Sequence, residues 1–359
     1  MEKTSRRIGL CLCGGGVTGA MYQVGCLAAL EDRIESFQAS GFDLYIGMAS
    51  GAAVATALAG GLSIQRMYRA LLDPADDFFP LSRNHLLRID VAELVRVFGT
   101  TVTAARRIVA SAATNPLDVN VWTELERFVD SLPAGVFTLD PYERFLSEFL
   151  ARRGISDSFE QLPRTLYVVA NDLDAGQRAV FGQGALRAAP IPRAIAASSA
   201  LPILYAPVNY DGRDYIDGGI GDVAHIDLAQ ADGCELIVVV NPMVPVRAGV
   251  SGRDVPTGHG PKRRVRDKGA IWVYEQAMRM RSEARLHLAL EQFRASHPAT
   301  DLVVLEPKQS DATLFMYSPM NFAARRAILE EGYTSTARAL NDAESALRSV
   351  LARHGLRVN

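Results

Sequence analysis

Residues 45–54 read YIGMASGAAV, the most chemically suggestive spacing in the chain. Gly47 and Gly51 stand four apart, as do the outer residues of a Gly-x-Ser-x-Gly nucleophile elbow, where flanking glycines relieve crowding at a sharp strand-to-helix turn. The residue midway is Ala49, which has no nucleophilic atom. Ser50 fits the role poorly, because its own minus-two and plus-two neighbours are Met48 and Ala52; it is expected to begin or cap the following helix. A Gly/Ala-rich helix packed closely on a strand would explain the small residues but not their spacing.

Three other stretches bear on chemistry. Gly14-Gly15-Gly16-Val17-Thr18-Gly19 satisfies the dinucleotide fingerprint G-x-G-x-x-G, which would make the chain an NAD-type oxidoreductase. That fold also needs an acid at the end of its second strand, where this sequence has Ile46-Gly47-Met48-Ala49 and an acid, Asp43, only at the strand's start. The same loop can instead form an oxyanion hole, with Gly14, Gly15 and Gly16 aiming N–H groups at one point and the next helix adding positive potential. A tight turn without a ligand is the plainer option. Asp217-Gly218-Gly219 follows an apolar run, and a carboxylate placed there can take the proton of a hydroxyl, although Asp-Gly is also a common turn. His225 adds the chain order Ser, Asp, His of α/β-hydrolase triads, but only eight residues past Asp217. His85, His259, His287, His297 and His354 fall in stretches that suggest loops or helix surfaces.

The elements that must carry these residues alternate. RIGLCLC is a short apolar run suited to a buried parallel strand, the glycine loop turns it, and AMYQVGCLAALED continues at helical spacing. FDLYIG, GMASG and AAVATALAGG repeat the unit, the last closed by paired glycines. Residues 73–162 change to helical stretches broken by Pro and Gly, a helical insertion suited to serve as a lid over a pocket. Strand signals return in RTLYVVANDL, RAVFG, RDYIDGG and ELIVVVNP. After Pro242 come a basic segment around residues 262–268, a long amphipathic helix from about Ala270 to Ser296, a strand DLVVLEP, and one C-terminal helix from about Asn321 to His354.

With 359 residues the chain can bury a large core, and a formal net charge of −2 gives no global attraction for polyanions, so nucleic acid is not an expected partner. No secretory signal or bilayer-length apolar run is apparent. The four cysteines, Cys11, Cys13, Cys26 and Cys234, lack metal-ligand spacing and suit reduced core fillers in a cytoplasmic protein. The basic segment suggests at most peripheral contact with an anionic membrane.

Together, the loop at 14–19, the turn at 47–51, Ala196-Ala197-Ser198-Ser199-Ala200-Leu201-Pro202 and Asp217-Gly218-Gly219 resemble the patatin-like phospholipase family. Phe315 and Gly332-Tyr333 extend the likeness, which covers most of the chain apart from residues 73–162. The resemblance implies one three-layer α/β domain over residues 1–359, with a mainly parallel central sheet. It also implies a Ser-Asp dyad that hydrolyses lipid acyl esters with no cofactor or metal. By position, Ala49 takes the nucleophile's place, Asp217 that of the general base, and Gly14, Gly15 and Gly16 those of the oxyanion donors. Gly19, Gly47, Gly51, Gly218 and Gly219 complete the motifs. Thr18 stands where many members have arginine, leaving the loop less cationic. The expected protein is a phospholipase, lysophospholipase or esterase in a Ser-to-Ala inactive form, or alternatively a lipid-binding relative without catalysis.

Overall fold

The computed structural model describes residues 7–73, 75–89, 133–247, 255, 260, 264–308, 322–342 and 344–359. Strand β1 (Ile8–Leu12) lies near the middle of an eight-stranded sheet. On one side it pairs in parallel with β10 (Leu236–Val240), which pairs with β11 (Asp301–Leu305); on the other it pairs with β2 (Leu44–Gly47), which pairs with β5 (Thr165–Asp172). The sequence's α/β expectation with a mainly parallel sheet therefore holds.

Both faces of the sheet are covered, which is why these strands read as continuous apolar runs. Leu10 and Leu12 of β1 face one hydrophobic cluster, with helices α1 (Gly16–Arg33) and α2 (Ser50–Ala59). Cys11 and Cys13 face the other, with residues of the helices at Ile226–Ala231 and Ala270–Ser296. All four cysteines are buried and free. Gly25 of α1 and Gly332 of the helix at Phe322–Asn341 let those two helices approach closely: a Cβ on Gly25 would strike the Leu329 carbonyl, and one on Gly332 the Tyr22 carbonyl.

Strand β5 is the hub. β6 (Gln177–Phe181) pairs antiparallel with its residues 168–172, while β2 pairs with 165–168 and β9 (Arg213–Asp217) with 170–172. Val168 partners both Gly47 and Phe181, and Ala170 both Asp217 and Ala179, so β6 owns one edge and β2 and β9 share the other end to end. Gly47 and Asp217 thus lie two residues apart along one strand edge, about 7 Å.

Within the segment 73–162, residues 74 and 90–132 lie outside the described residues, and with them much of the helical insertion expected there. The remainder holds a short helix at Arg83–Leu86, the helix at Asp140–Ala151, and strands β3 (Arg88–Ile89) and β4 (Gly135–Thr138), which form a separate small sheet with β7 (Ile203–Tyr205). The single C-terminal helix expected from Asn321 is two, Phe322–Asn341 and Ala346–Arg353. Ser345, just ahead of the second helix, adopts extended backbone. His354 is not a solvated surface group: its side chain is 4% exposed and its Nε2 lies 2.8 Å from Asp301 Oδ2. Phe315 and His259 lie outside the described residues, as do residues 261–263 of the basic segment. Among the described residues, no helix is long and apolar enough to cross a membrane.

Candidate active site

The turn after β2 is forced by its sequence. Ala49 has φ 49° and ψ −126°, a combination that an L residue occupies only under strain. Its N–H donates to Ser198 Oγ at 2.8 Å, and the Ser198 hydroxyl donates to the Val169 carbonyl at 2.5 Å, which ties the bend to β5. No side chain fits at either flanking glycine: a Cβ on Gly47 would lie 2.5 Å from Ala52 Cα, and one on Gly51 would lie 2.6 Å from the Cys13 carbonyl and closer still to that of Leu12. The four-residue spacing is therefore a steric requirement of bringing a strand and a helix together at a sharp bend. Ser50 is the first residue of α2 but caps nothing; its hydroxyl is buried and makes no hydrogen bond among the described residues.

The glycine loop after β1 faces this bend. A Cβ on Gly14 would stand 3.3 Å from Ala49 Cβ. Gln23 Nε2 donates to the Cys13 carbonyl, and because the intervening peptide is planar and trans, the Gly14 N–H points the opposite way. Gly15 and Gly16 have φ of 130° and 63°, open to glycine at no steric cost. Pro242 backs the loop: a Cβ on Gly15 or Gly19 would lie 3.0 Å from its Cγ. Among the described residues, the N–H groups of Gly14, Gly15 and Gly16 find no hydrogen-bond acceptor, as expected where a helix begins.

Asp217 ends β9 at the third corner. The Gly219 N–H donates to its Oδ1 at 2.7 Å, its own N–H donates to the Ala200 carbonyl at 3.0 Å, and Asn171 Nδ2 donates to its carbonyl at 2.7 Å. Gly218 is pressed against β5 and residue 48: a Cβ there would strike the Val169 carbonyl and stand 3.2 Å from Met48 Cβ. The side chain is partly buried, open on the cavity side, and burial pushes its carboxyl up to about 7 against the pull of the Gly219 N–H.

All three corners line one cavity of about 430 Å³, within the range of small-molecule sites. Its polar end holds Gly14, Gly15, Gly16, Ala49, Asp217 and Gly219; the remaining wall is largely apolar, with Phe78, Phe79, Leu146 and Phe149 from the segment 73–162 and Ile271 and Trp272 from the helix at Ala270–Ser296. Among the described residues, Asp217 and Glu275 are the charged groups on this wall.

His225 does not line it. It is buried behind the Asp-Gly-Gly turn, where burial and the nearby Arg178 lower its pKa to about 4, and Arg178 itself is held by Asp227 at 2.9 and 2.7 Å. Among the described residues, His225 therefore does not share the cavity wall with Asp217, and a triad order is not formed.

Two supports escaped the sequence analysis. Ser198 sits inside a segment noted only as part of a resemblance. Arg279 is fully buried; its Nη1 donates at 3.2 Å to the carbonyls of both Pro242 and Val244, and its Nη2 donates to Glu275 Oε1 at 2.8 Å. Their spacing on a helix, four apart, was the available signal.

The Patatin-like phospholipase family model matches residues 10–229. No curated protein is significantly similar in sequence. Among solved structures, VipD from Legionella pneumophila aligns at a TM-score of 0.39 and 16% identity, over 98% of this chain and 67% of that one. The type III effector ExoU aligns at 0.37 and 13%, over 99% of this chain and 54% of that one. Full-length ExoU from Pseudomonas aeruginosa, solved in complex with full-length SpcU, aligns at 0.29 and 16%, over 97% and 67%. The chain therefore spans between about half and two thirds of those proteins.

Proposed function

The chain belongs to the patatin-like phospholipase family, and on that premise we propose that its cavity is the acyl site of a lipid hydrolase whose nucleophile position is held by Ala49. With serine at 49, the hydroxyl would give its proton to Asp217 and attack the ester carbonyl. The N–H groups of Gly14, Gly15 and Gly16 would take the negative charge that develops on the carbonyl oxygen. Asp217 would then protonate the leaving alcohol and activate the water that releases the acid. A carboxyl near neutrality suits both duties, since it must accept and return a proton at the same pH.

One observation carries this proposal: the backbone of Ala49 is held at φ 49° and ψ −126°, beside glycine N–H groups that find no acceptor among the described residues and two residues past Gly47, which shares an edge of β5 with Asp217. Strain of that kind persists only where the surroundings enforce it, and an elbow that presents a side chain to a cavity is a use for it. The chain as written should be nearly inert. Ala49→Ser should raise hydrolysis of a short-chain nitrophenyl ester and of a phospholipid by on the order of 10⁵-fold. A purified, folded revertant silent on both substrates would overturn the hydrolase proposal. A binding role without turnover is the second reading, favoured by Ala49 itself.

A further inference from the structure

We propose that the chain with alanine at 49 is a receptor for long-chain free carboxylic acids: the tail fills the apolar cavity, one carboxyl oxygen takes the N–H groups of the glycine loop, and the other shares a proton with Asp217. The inference rests on the acyl-site assignment above but not on catalysis.

The polar end of the cavity has two unlike halves. One half is a set of donors: the N–H groups of Gly14, Gly15 and Gly16 have no partner among the described residues, and they open an 18-residue helix whose dipole favours an anion. The other half is a carboxyl. Gly219 occupies Asp217 Oδ1, and Oδ2 makes no hydrogen bond among the described residues. With a methyl in place of a hydroxyl at 49, nothing between the halves consumes either. Two further groups on the same wall, the hydroxyls of Ser50 and Ser199, are shielded from solvent and make no hydrogen bond among the described residues.

Such an end discriminates among lipids. Among the described residues, the wall carries no Lys, Arg or His, so a phosphate head group meets no counter-charge inside. An ester presents a carbonyl to the donors but offers Asp217 only a weakly accepting alkoxy oxygen. A free acid satisfies both halves, because a carboxyl and a carboxylate sharing one proton form a charge-assisted hydrogen bond, stronger than a neutral one. The proton must come from solvent whenever Asp217 is ionised beforehand, so binding is tied to proton uptake.

The other titratable groups near Asp217 do not mask this. Glu275 is held by Arg279 at 2.8 Å, burial raises Tyr274, Tyr142 and Tyr205, and burial lowers His225, behind the turn, to about 4. With the carboxyl of Asp217 at about 7, hexadecanoate affinity should fall about 90-fold between pH 6 and pH 9.

The test is calorimetry on the chain as it stands, with hexadecanoic acid, methyl hexadecanoate and hexadecanol delivered from cyclodextrin. The acid should bind at least tenfold more tightly than either neutral lipid at pH 6. At pH 7, its heat should differ between phosphate and Tris in the sense of proton uptake. Asp217→Asn, whose amide donates without titrating, should keep binding the acid with a flat pH profile. Equal affinities for acid and methyl ester, heats independent of the buffer, a pH slope that survives in Asp217→Asn, or no binding of the acid would each overturn the inference. Failure of the serine revertant to hydrolyse esters would leave these titrations unaffected, so the two proposals fall separately.

Discussion

Replacing Ala49 by glycine should cost far less than the same exchange six residues on. Ala55 is fully buried in the body of α2; there glycine loses about 1 kcal/mol of helix propensity and about 0.8 kcal/mol for the buried methyl, so Ala55→Gly should destabilise by about 2 kcal/mol. At 49 the methyl is nearly as buried, at 6% exposure, and the added freedom of the unfolded chain costs a further 0.4–1 kcal/mol or so. Against these stands relief of the φ 49°, ψ −126° strain, about 1–3 kcal/mol. The net ranges from a loss of about 0.8 to a gain of about 1.8 kcal/mol. Urea midpoints at equal m-values measure both variants on one scale. If Ala49→Gly proves as destabilised as Ala55→Gly, residue 49 is not strained and the bend is not built to present a side chain.

Other perturbations separate the parts of the site. Gly47→Ala and Gly51→Ala drive a Cβ into backbone and should each lower stability by about 3 kcal/mol or more, whereas Gly61→Ala, with φ +87° and open space around it, should cost only about 1–2 kcal/mol; thermal melts would show the contrast. Ser198→Ala orphans the Ala49 N–H and the Val169 carbonyl and should cost about 1–3 kcal/mol; in the serine-restored protein it should lower kcat with KM little changed. Burial holds the folded Asp217 carboxyl near 7, against about 4 in the unfolded chain. Its stabilising contribution is thus complete below about pH 4 and is lost as pH rises to about 7. The advantage of Asp217→Asn over the parent in urea midpoint should grow across that window and level off above it; an advantage constant from pH 4 to pH 8 would contradict the shift. Phe79→Trp narrows the apolar wall and should shift the serine-restored enzyme toward shorter acyl chains, read as a kcat/KM series over chain length.

Much of the fold was legible because the sheet is buried on both faces: IGLCL and LIVVV announce themselves as apolar runs, and the glycine loop and the 47–51 turn stand out through residues that sterics require. The three corners of the site were legible for the same reason, since glycines that cannot be replaced leave a spacing in the sequence. What hid were the supports held by polar contacts across long sequence distance. Nothing near Ser198 reveals that its hydroxyl reaches the N–H of residue 49, and nothing near Arg279 shows that it reaches the carbonyl of Pro242, because neither partner is fixed by periodicity. The strands GVFT and ILY escaped because they are short, and GVFT, which pairs with ILY, lies inside a segment that otherwise reads as helical. His225 misled through chain order alone; being close in sequence to Asp217 did not put it on the cavity side of the turn.

The glycine loop hangs from β1, and β1 draws one of its two neighbours, β10, from residues 236–240, beyond the stretch matched by the family. A fragment ending at residue 229 would leave β1 with a bare edge of unpaired amides and carbonyls, an invitation to intermolecular pairing. It would also lack Pro242 behind Gly15 and the Trp272 side of the cavity. Grafting this machinery into another scaffold, or trimming it to a minimal module, therefore requires carrying the chain through the partner strand and the helix after it; the motif-bearing part alone is not a portable unit.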